Sequence, residues 1–121
     1  VFPPQVIAAF EDREAYTHPV VVLVDRGTHS AAEDFCAIFK GMGRGMLIGT
    51  TTAGSTGQPI QFELPGGGSL AICPVHDTYG DGQEYVGTGF KPDIEVSETI
   101  DSYFSGKDLA RERALQVLRG K

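Results

Sequence analysis

Ser30 follows a short turn, Arg26-Gly27-Thr28-His29, and precedes Ala31-Ala32-Glu33-Asp34. A serine placed where a turn gives way to a helix can do acyl-transfer chemistry. The turn lifts the hydroxyl clear of the preceding strand, and the helix start aims unpaired backbone N–H groups at any anion formed there. In acyl transfer that anion is the tetrahedral oxyanion, and the Ala31 amide is its natural donor. One such donor is typically worth about 3 kcal/mol of transition-state stabilisation. The small Ala31 and Ala32 leave space for a substrate carbonyl. The same residues also fit a plain helix cap, because Ser30 with Glu33 three positions on is a capping box.

A serine hydroxyl needs a base to take its proton. His29 adjoins Ser30, but neighbouring side chains around a turn usually diverge. His76 lies near the end of a later strand and is the local candidate base. His18 lies at the far end of the strand that leads to Ser30. Asp77, Asp81 and Glu84 share one loop but lack the ordered oxygen spacing of a calcium loop, so no metal is expected. Cys36 and Cys73 have neither Cys-x-x-Cys nor zinc spacing and read as buried free thiols, with a disulfide between them possible but unforced. The Gly-x-Ser-x-Gly elbow, the dinucleotide fingerprint and the phosphate loop are all missing from this sequence, and no cofactor is expected.

The elements that must position Ser30 follow from the pattern around it. Pro19 opens a strand over Val20 to Asp25, whose unbroken apolar run predicts burial on both faces. Ser30 to Lys40 is predicted helical, with Phe35, Ile38, Phe39 and Met42 as its buried face and Glu33 and Asp34 in the first turn, where they suit the helix dipole. Met46 to Gly49 is a second buried strand, completing a β-α-β unit expected to cross over right-handed. Thr50 to Gly57 is a loop. Gln58 to Leu64 and Ser69 to Val75 form a hairpin about Pro65-Gly66-Gly67-Gly68, with Ile60, Phe62 and Leu64 on one face. Asp77 to Gly89 reads as a long exposed loop, Ile94 to Val96 as extended, and Lys107 to Leu118 as a last helix with capping-box spacing at Ser105 and Asp108. The first eighteen residues are mixed, with Pro3-Pro4 blocking regular structure and a charged patch from Glu11 to Glu14.

The 121 residues allow one domain at most. A net charge of -6 without a basic stripe argues against nucleic acid, and no apolar run approaches the length of a membrane span. The missing initiator methionine and signal pattern suggest a fragment or processed product of a longer protein.

Several motifs in order resemble the C-terminal processing (tail-specific) protease family. Pro19 to Asp25 followed by Thr28-His29-Ser30-Ala31-Ala32-Glu33-Asp34-Phe35 is similar to its nucleophile strand and helix. Gly43-Arg44-Gly45-Met46-Leu47-Ile48-Gly49, Thr51-Thr52-Ala53-Gly54, Gly67-Gly68-Ser69 and Gly87-Thr88-Gly89-Phe90-Lys91-Pro92-Asp93-Ile94 resemble the family's later motifs, so the likeness runs from Pro19 to Val96. It implies an α/β fold of stacked β-β-α units, ClpP/crotonase-like, of which this chain is the C-terminal half of the catalytic domain. It also implies a serine peptidase with Ser30 as nucleophile and a peptide or unfolded protein tail as substrate. The bacterial branch pairs its serine with a lysine in a Gly-Lys-Gly run. Here Gly54-Ser55-Thr56-Gly57 puts Ser55 at that position. The chain therefore resembles the branch of tricorn-like proteases and retinoid-binding repeats, which lacks the lysine. In tricorn-like members a histidine from far upstream is the base and a glutamate orients it, a role for which Glu84 is the nearest residue here. The base is then expected outside the chain, leaving the isolated segment inactive. The resemblance also suggests an extracytoplasmic location, and an uncovered half-domain would favour self-association. Two other readings stay open: a binding module for peptides or apolar ligands on the same fold, and a crotonase-like acyl-CoA enzyme that needs no nucleophilic serine.

Overall fold

A computed structural model describes residues 14–120. The expectations for Pro3-Pro4 and for residues 11–13 lie outside the described residues. Three strands, β1 (Val21–Val24), β2 (Met46–Gly49) and β5 (Ile94–Glu95), form a parallel sheet in the order β1-β2-β5. Val21 pairs with Met46 and Val24 with Gly49, and Ile48 pairs with Ile94. Helix α1 (Ala31–Gly41) connects β1 to β2, so the β-α-β unit forms as expected. The expected hairpin also forms. Strands β3 (Ile60–Leu64) and β4 (Gly68–Ile72) pair antiparallel, with Phe62 opposite Leu70. Two helices follow the sheet, α2 (Ile100–Ser105) and α3 (Leu109–Leu118).

The core holds Val24, Cys36, Phe39, Leu47, Tyr85 and Phe90. Leu47 and Ile48, in the middle strand, are wholly enclosed. Strand β1 is less covered than its apolar run predicts: it is the outermost strand of the sheet, and Leu23 is 45% exposed where it lines an open cleft. Helix α1 also turns a different face inward. Glu33, Cys36 and Phe39 are buried, while Phe35, Ile38 and Met42, expected in the core, are exposed. The inward face is chosen by what α1 meets, namely the polar Thr52–Ser55 loop at its first turn and the sheet further along. Phe39 lies against Gly45, where an added Cβ would come within 2.8 Å of its ring.

The loop from Asp77 to Gly89 is not wholly exposed either. It inserts Tyr85, which packs on the buried Phe90 at 4.4 Å between ring centroids, with Tyr79 against both. Glycine-rich composition signalled a loop but not the aromatic plug that this loop carries. The closing Pro92-Asp93 pair has a structural task. The Asp93 carboxylate accepts the Leu47 N–H at 2.7 Å and meets Lys40 at 3.1 Å, joining α1, β2 and β5. The Arg44 guanidinium donates to the carbonyls of Tyr16 and His18, holding the lead-in to β1.

At the C-terminal end, α2 was not anticipated. Its capping box is Thr99 with Ser102, not Ser105 with Asp108. Ser105 instead donates its hydroxyl to the Ser102 carbonyl, and Asp108 caps α3 by accepting the Arg111 N–H at 2.8 Å. Both cysteines are free thiols, but Cys73 is exposed rather than buried because it follows the uncovered ribbon.

Candidate active site at the β1–α1 joint

The turn before Ser30 is built by two side chains. The Asp25 carboxylate accepts the N–H groups of Gly27 (2.8 Å) and Thr28 (3.1 Å), and the Thr28 hydroxyl accepts the Asp25 N–H (3.1 Å). Asp and Thr commonly close turns in this way. The chain then enters α1 through Ser30 at φ 55°, ψ -130°. That region is costly for a residue with a side chain, by about 1–3 kcal/mol. Ser30 occupies the cap position, but its side chain makes no capping hydrogen bond. Glu33 does not complete a capping box either. It is fully buried and turns the other way.

The Glu33 carboxylate instead accepts three hydrogen bonds from the loop after β2. The Thr52 hydroxyl (2.5 Å) and Gly54 N–H (2.7 Å) meet one oxygen, and the Ser55 N–H (2.8 Å) meets the other. The Thr52 hydroxyl in turn accepts the Phe90 N–H at 2.7 Å. From this loop the Ser55 carbonyl accepts the Ser30 N–H at 2.8 Å, and the Ala53 N–H donates to Thr28. Ser30 is thereby held in its strained conformation from both sides. Two glycines let the loops approach this closely. A Cβ on Gly54 would lie 2.6 Å from the Gly89 nitrogen, and one on Gly89 would lie 2.3 Å from the Thr52 carbonyl oxygen.

At the helix start the Ala32 N–H donates to His29, and the Glu33 and Asp34 N–H groups donate to Ser30. Ala31 has no such bond among the described residues and is exposed, so its amide remains available to an anion beside Ser30. The His29 ring turns back: its Nδ1–H donates to the Gly27 carbonyl at 2.8 Å. Because a carbonyl only accepts, this fixes the proton of a neutral ring on Nδ1. His76 and Glu84, the expected local base and orienting acid, do meet each other, with Nε2 and Oε1 3.4 Å apart. Both are exposed, and among the described residues no hydrogen bond links either to Ser30. His18 lies before β1, at the opposite end of the strand.

A second polar cluster lies behind the joint. The Tyr85 hydroxyl donates to Asp34 at 3.0 Å, and the Thr56 hydroxyl lies 3.3 Å from both Asp34 and Asp77. Burial, then the Asp34 hydrogen bond and charge, push the Tyr85 phenol well above its ordinary range. Burial, with the Glu33 charge second, likewise raises the Cys36 thiol, so it is not a reactive thiolate. No group of three or more His, Cys, Asp or Glu side chains fit to hold a metal occurs among the described residues. A cleft of about 600 Å³ opens at the carboxyl ends of the parallel strands, lined by residues that include Asp25, Thr28, Gly49 and Val96. Ser30 does not line it.

Sequence reasoning placed Ser30 at the start of its helix, where the structure has it, but missed the contacts of Glu33, Thr52 and the Ser55 carbonyl around it. The signal for Glu33 was its spacing. Glu33, Cys36 and Phe39 recur every three residues, which puts the carboxylate on the face that carries the core residues.

The β1–α1 joint thus consists of a strand, a turn that ends in Ser30 at positive φ, and a helix whose first amide makes no hydrogen bond among the described residues. The sequence matches Peptidase family S41 over residues 5–96, and the chain belongs to that family. It is 32% identical over 109 residues to a carboxyl-terminal-processing protease of Picosynechococcus sp., covering 83% of this chain and 25% of that protein. It is 33% identical over 94 residues to an uncharacterized protein of Chlamydia muridarum, covering 74% of this chain and 15% of that one. The crystal structure of a candidate peptidase from Parabacteroides merdae superposes with a TM-score of 0.78 at 30% identity, over 89% of this chain and 34% of that one. Tricorn protease gives a TM-score of 0.72 at 27% identity, over 81% of this chain and 10% of that one. The mixed α/β fold is therefore that of part of an S41 peptidase domain. The chain spans a quarter or less of the length of these two curated relatives. Among the described residues no helix is long and apolar enough to cross a membrane.

Proposed function

We propose that this chain is the C-terminal part of a serine peptidase catalytic domain, in which Ser30 attacks the scissile carbonyl of a peptide and forms an acyl-enzyme. The observation that carries this reading is the backbone of Ser30, held at φ 55° at a helix start where the Ala31 amide is free. Strain of this kind concentrates at functional sites. Ala31 then supplies one oxyanion donor. The base comes from the rest of the domain, since Ser55 stands where a lysine partner would be and the local histidines make no bond to Ser30. His76, paired with Glu84, is the local alternative. Peptides and unfolded protein tails are the substrate class that the family supports.

The test is a fluorophosphonate probe applied to the full-length protein and to this chain, with the label mapped by mass spectrometry. Label on Ser30 in the full-length protein alone, lost in Ser30→Ala, is the expected result. Label on Ser30 in both places the base within the chain. Absence of label in both overturns the proposal in favour of a ligand-binding module on the same fold, the reading that the missing lysine favours.

A further inference from the structure

Glu33 is the only acidic residue among the described residues that is fully enclosed. Burying a carboxylate is costly unless hydrogen bonds replace its lost hydration. Here three donors do so, and all three come from a single four-residue stretch, Thr52 to Ser55. That stretch has no regular secondary structure of its own to hold its shape. Its other fixed points are the Ala53 N–H on Thr28, the Thr52 hydroxyl on Phe90 and the Gly54 carbonyl on Gly87. Its last member, Ser55, presents the carbonyl that accepts the Ser30 N–H.

We infer that Glu33 is a positioning residue for the nucleophile, acting through the Thr52–Ser55 loop to hold the Ser30 amide and thus its strained backbone. The inference rests on Ser30 being the nucleophile. No hydrogen bond joins the Glu33 carboxylate to the Ser30 hydroxyl among the described residues; the carboxylate reaches Ser30 through the loop, whose Ser55 carbonyl holds the Ser30 N–H. A capping role would tie Glu33 to its own helix start; the observed carboxylate leaves the helix and grips the loop. The arrangement also explains why this position needs a carboxylate. Each of its oxygens faces a donor, so a glutamine, which must offer an NH₂ in place of one oxygen, opposes a donor with a donor. Aspartate is one methylene too short to reach the same three groups.

The experiment is site-resolved hydrogen exchange on the full-length protein, comparing wild type with Glu33→Gln, together with fluorophosphonate labelling rates. In Glu33→Gln the amides of Gly54, Ser55 and Ser30 are expected to exchange at least about tenfold faster while those of Leu47 and Ile48 are unchanged. Labelling of Ser30 is expected to slow by about 10²-fold, the usual effect of displacing a reacting group by an ångström. A merely structural role would instead speed all five amides together. If Ser30 stays as protected as in wild type while Gly54 and Ser55 open, the inference fails. Should Glu33→Gln not fold, Thr52→Val and Thr52→Ser give the same test from the other side. Valine loses the hydroxyl between Phe90 and Glu33, and serine restores it. Equal protection of Ser30 in the two variants overturns the inference. Failure of wild type to label at Ser30 would remove the nucleophile reading, whereas the exchange pattern decides the role of Glu33 separately.

Discussion

The β1–α1 joint and the β3–β4 ribbon are built on opposite principles. At the joint nearly every polar group is used. Glu33, Thr52 and the Ser30 and Ser55 backbones are bonded across three separate segments, and glycines bring those segments to contact. The ribbon bonds to itself. Ile60, Phe62, Leu64, Leu70 and Ile72 are each about half exposed, and even at the root of the ribbon the Val75 N–H meets the Gly57 carbonyl of its own other arm. An apolar pattern suffices to make a ribbon. A strained serine needs a polar frame that fits it closely, and such a frame tolerates few substitutions.

Glycine replacements should separate the two regions most sharply. Gly89→Ala puts a Cβ 2.3 Å from the Thr52 carbonyl oxygen at a φ of +73°, so the backbone of one loop must move. The expected loss is about 3 kcal/mol in urea unfolding, with Ser30 labelling of the full-length protein lost as well. Gly68→Ala, in the ribbon, would make only an ordinary 3.8 Å contact with Leu64 and should stay within about 0.5 kcal/mol. Similar losses for both would erase the distinction.

Asp93→Ala removes the acceptor of the Leu47 N–H and the partner of Lys40. Leaving the amide of a buried strand residue without its partner should cost about 2 kcal/mol by the same measurement. The effect should appear as lower stability of the whole sheet rather than as a local change at Ser30. A loss of labelling without a loss of stability would show that the sheet and the joint are less separate than their bonding implies.

Tyr85→Phe deletes the hydroxyl that donates to Asp34 and should cost about 1 kcal/mol at neutral pH. Its pH dependence has a definite sign. The folded-state pKa is raised above the ordinary value of 10.0, chiefly by burial. The unfolded chain therefore releases this proton first as pH rises. The associated stability is fully present below about pH 10 and falls progressively above it. Wild type should lose stability more steeply than Tyr85→Phe in that alkaline range. Equal slopes would mean that the Tyr85 phenol is not held neutral by its site.

How legible each region was in the sequence follows from the same contrast. Periodicity identified β1, α1, β2 and the hairpin, because these elements are specified by local apolar spacing. It chose the wrong face of α1, since Phe35, Ile38 and Met42 make a good stripe but the face that packs begins with Glu33. A buried carboxylate becomes recognisable only when the loop that satisfies it is known, and that loop lies nineteen residues away at Thr52. The ordered motifs identified Ser30 as the residue to examine. They could not show its φ of 55°, which the surrounding contacts impose and no residue type announces. Tyr85 was hidden in the same way, inside a segment whose Gly, Asp and Thr content signals exposure.

The ribbon supplies the smallest expected effect. Phe62 is 49% exposed and faces Leu70 across the strand pair. Phe62→Ser gives up one cross-strand contact and should cost no more than about 0.5 kcal/mol in this chain, with amide exchange at Ser30, Gly54 and Ser55 unchanged. The same substitution in the full-length protein asks what the ribbon's apolar face is for. If the cost there remains as small, the face is free in the longer protein as well. If it rises to the few kcal/mol of a buried aromatic, another part of that protein covers Phe62. The ribbon would then join the rest of the domain by apolar packing, while the joint would still hold its serine by polar contacts.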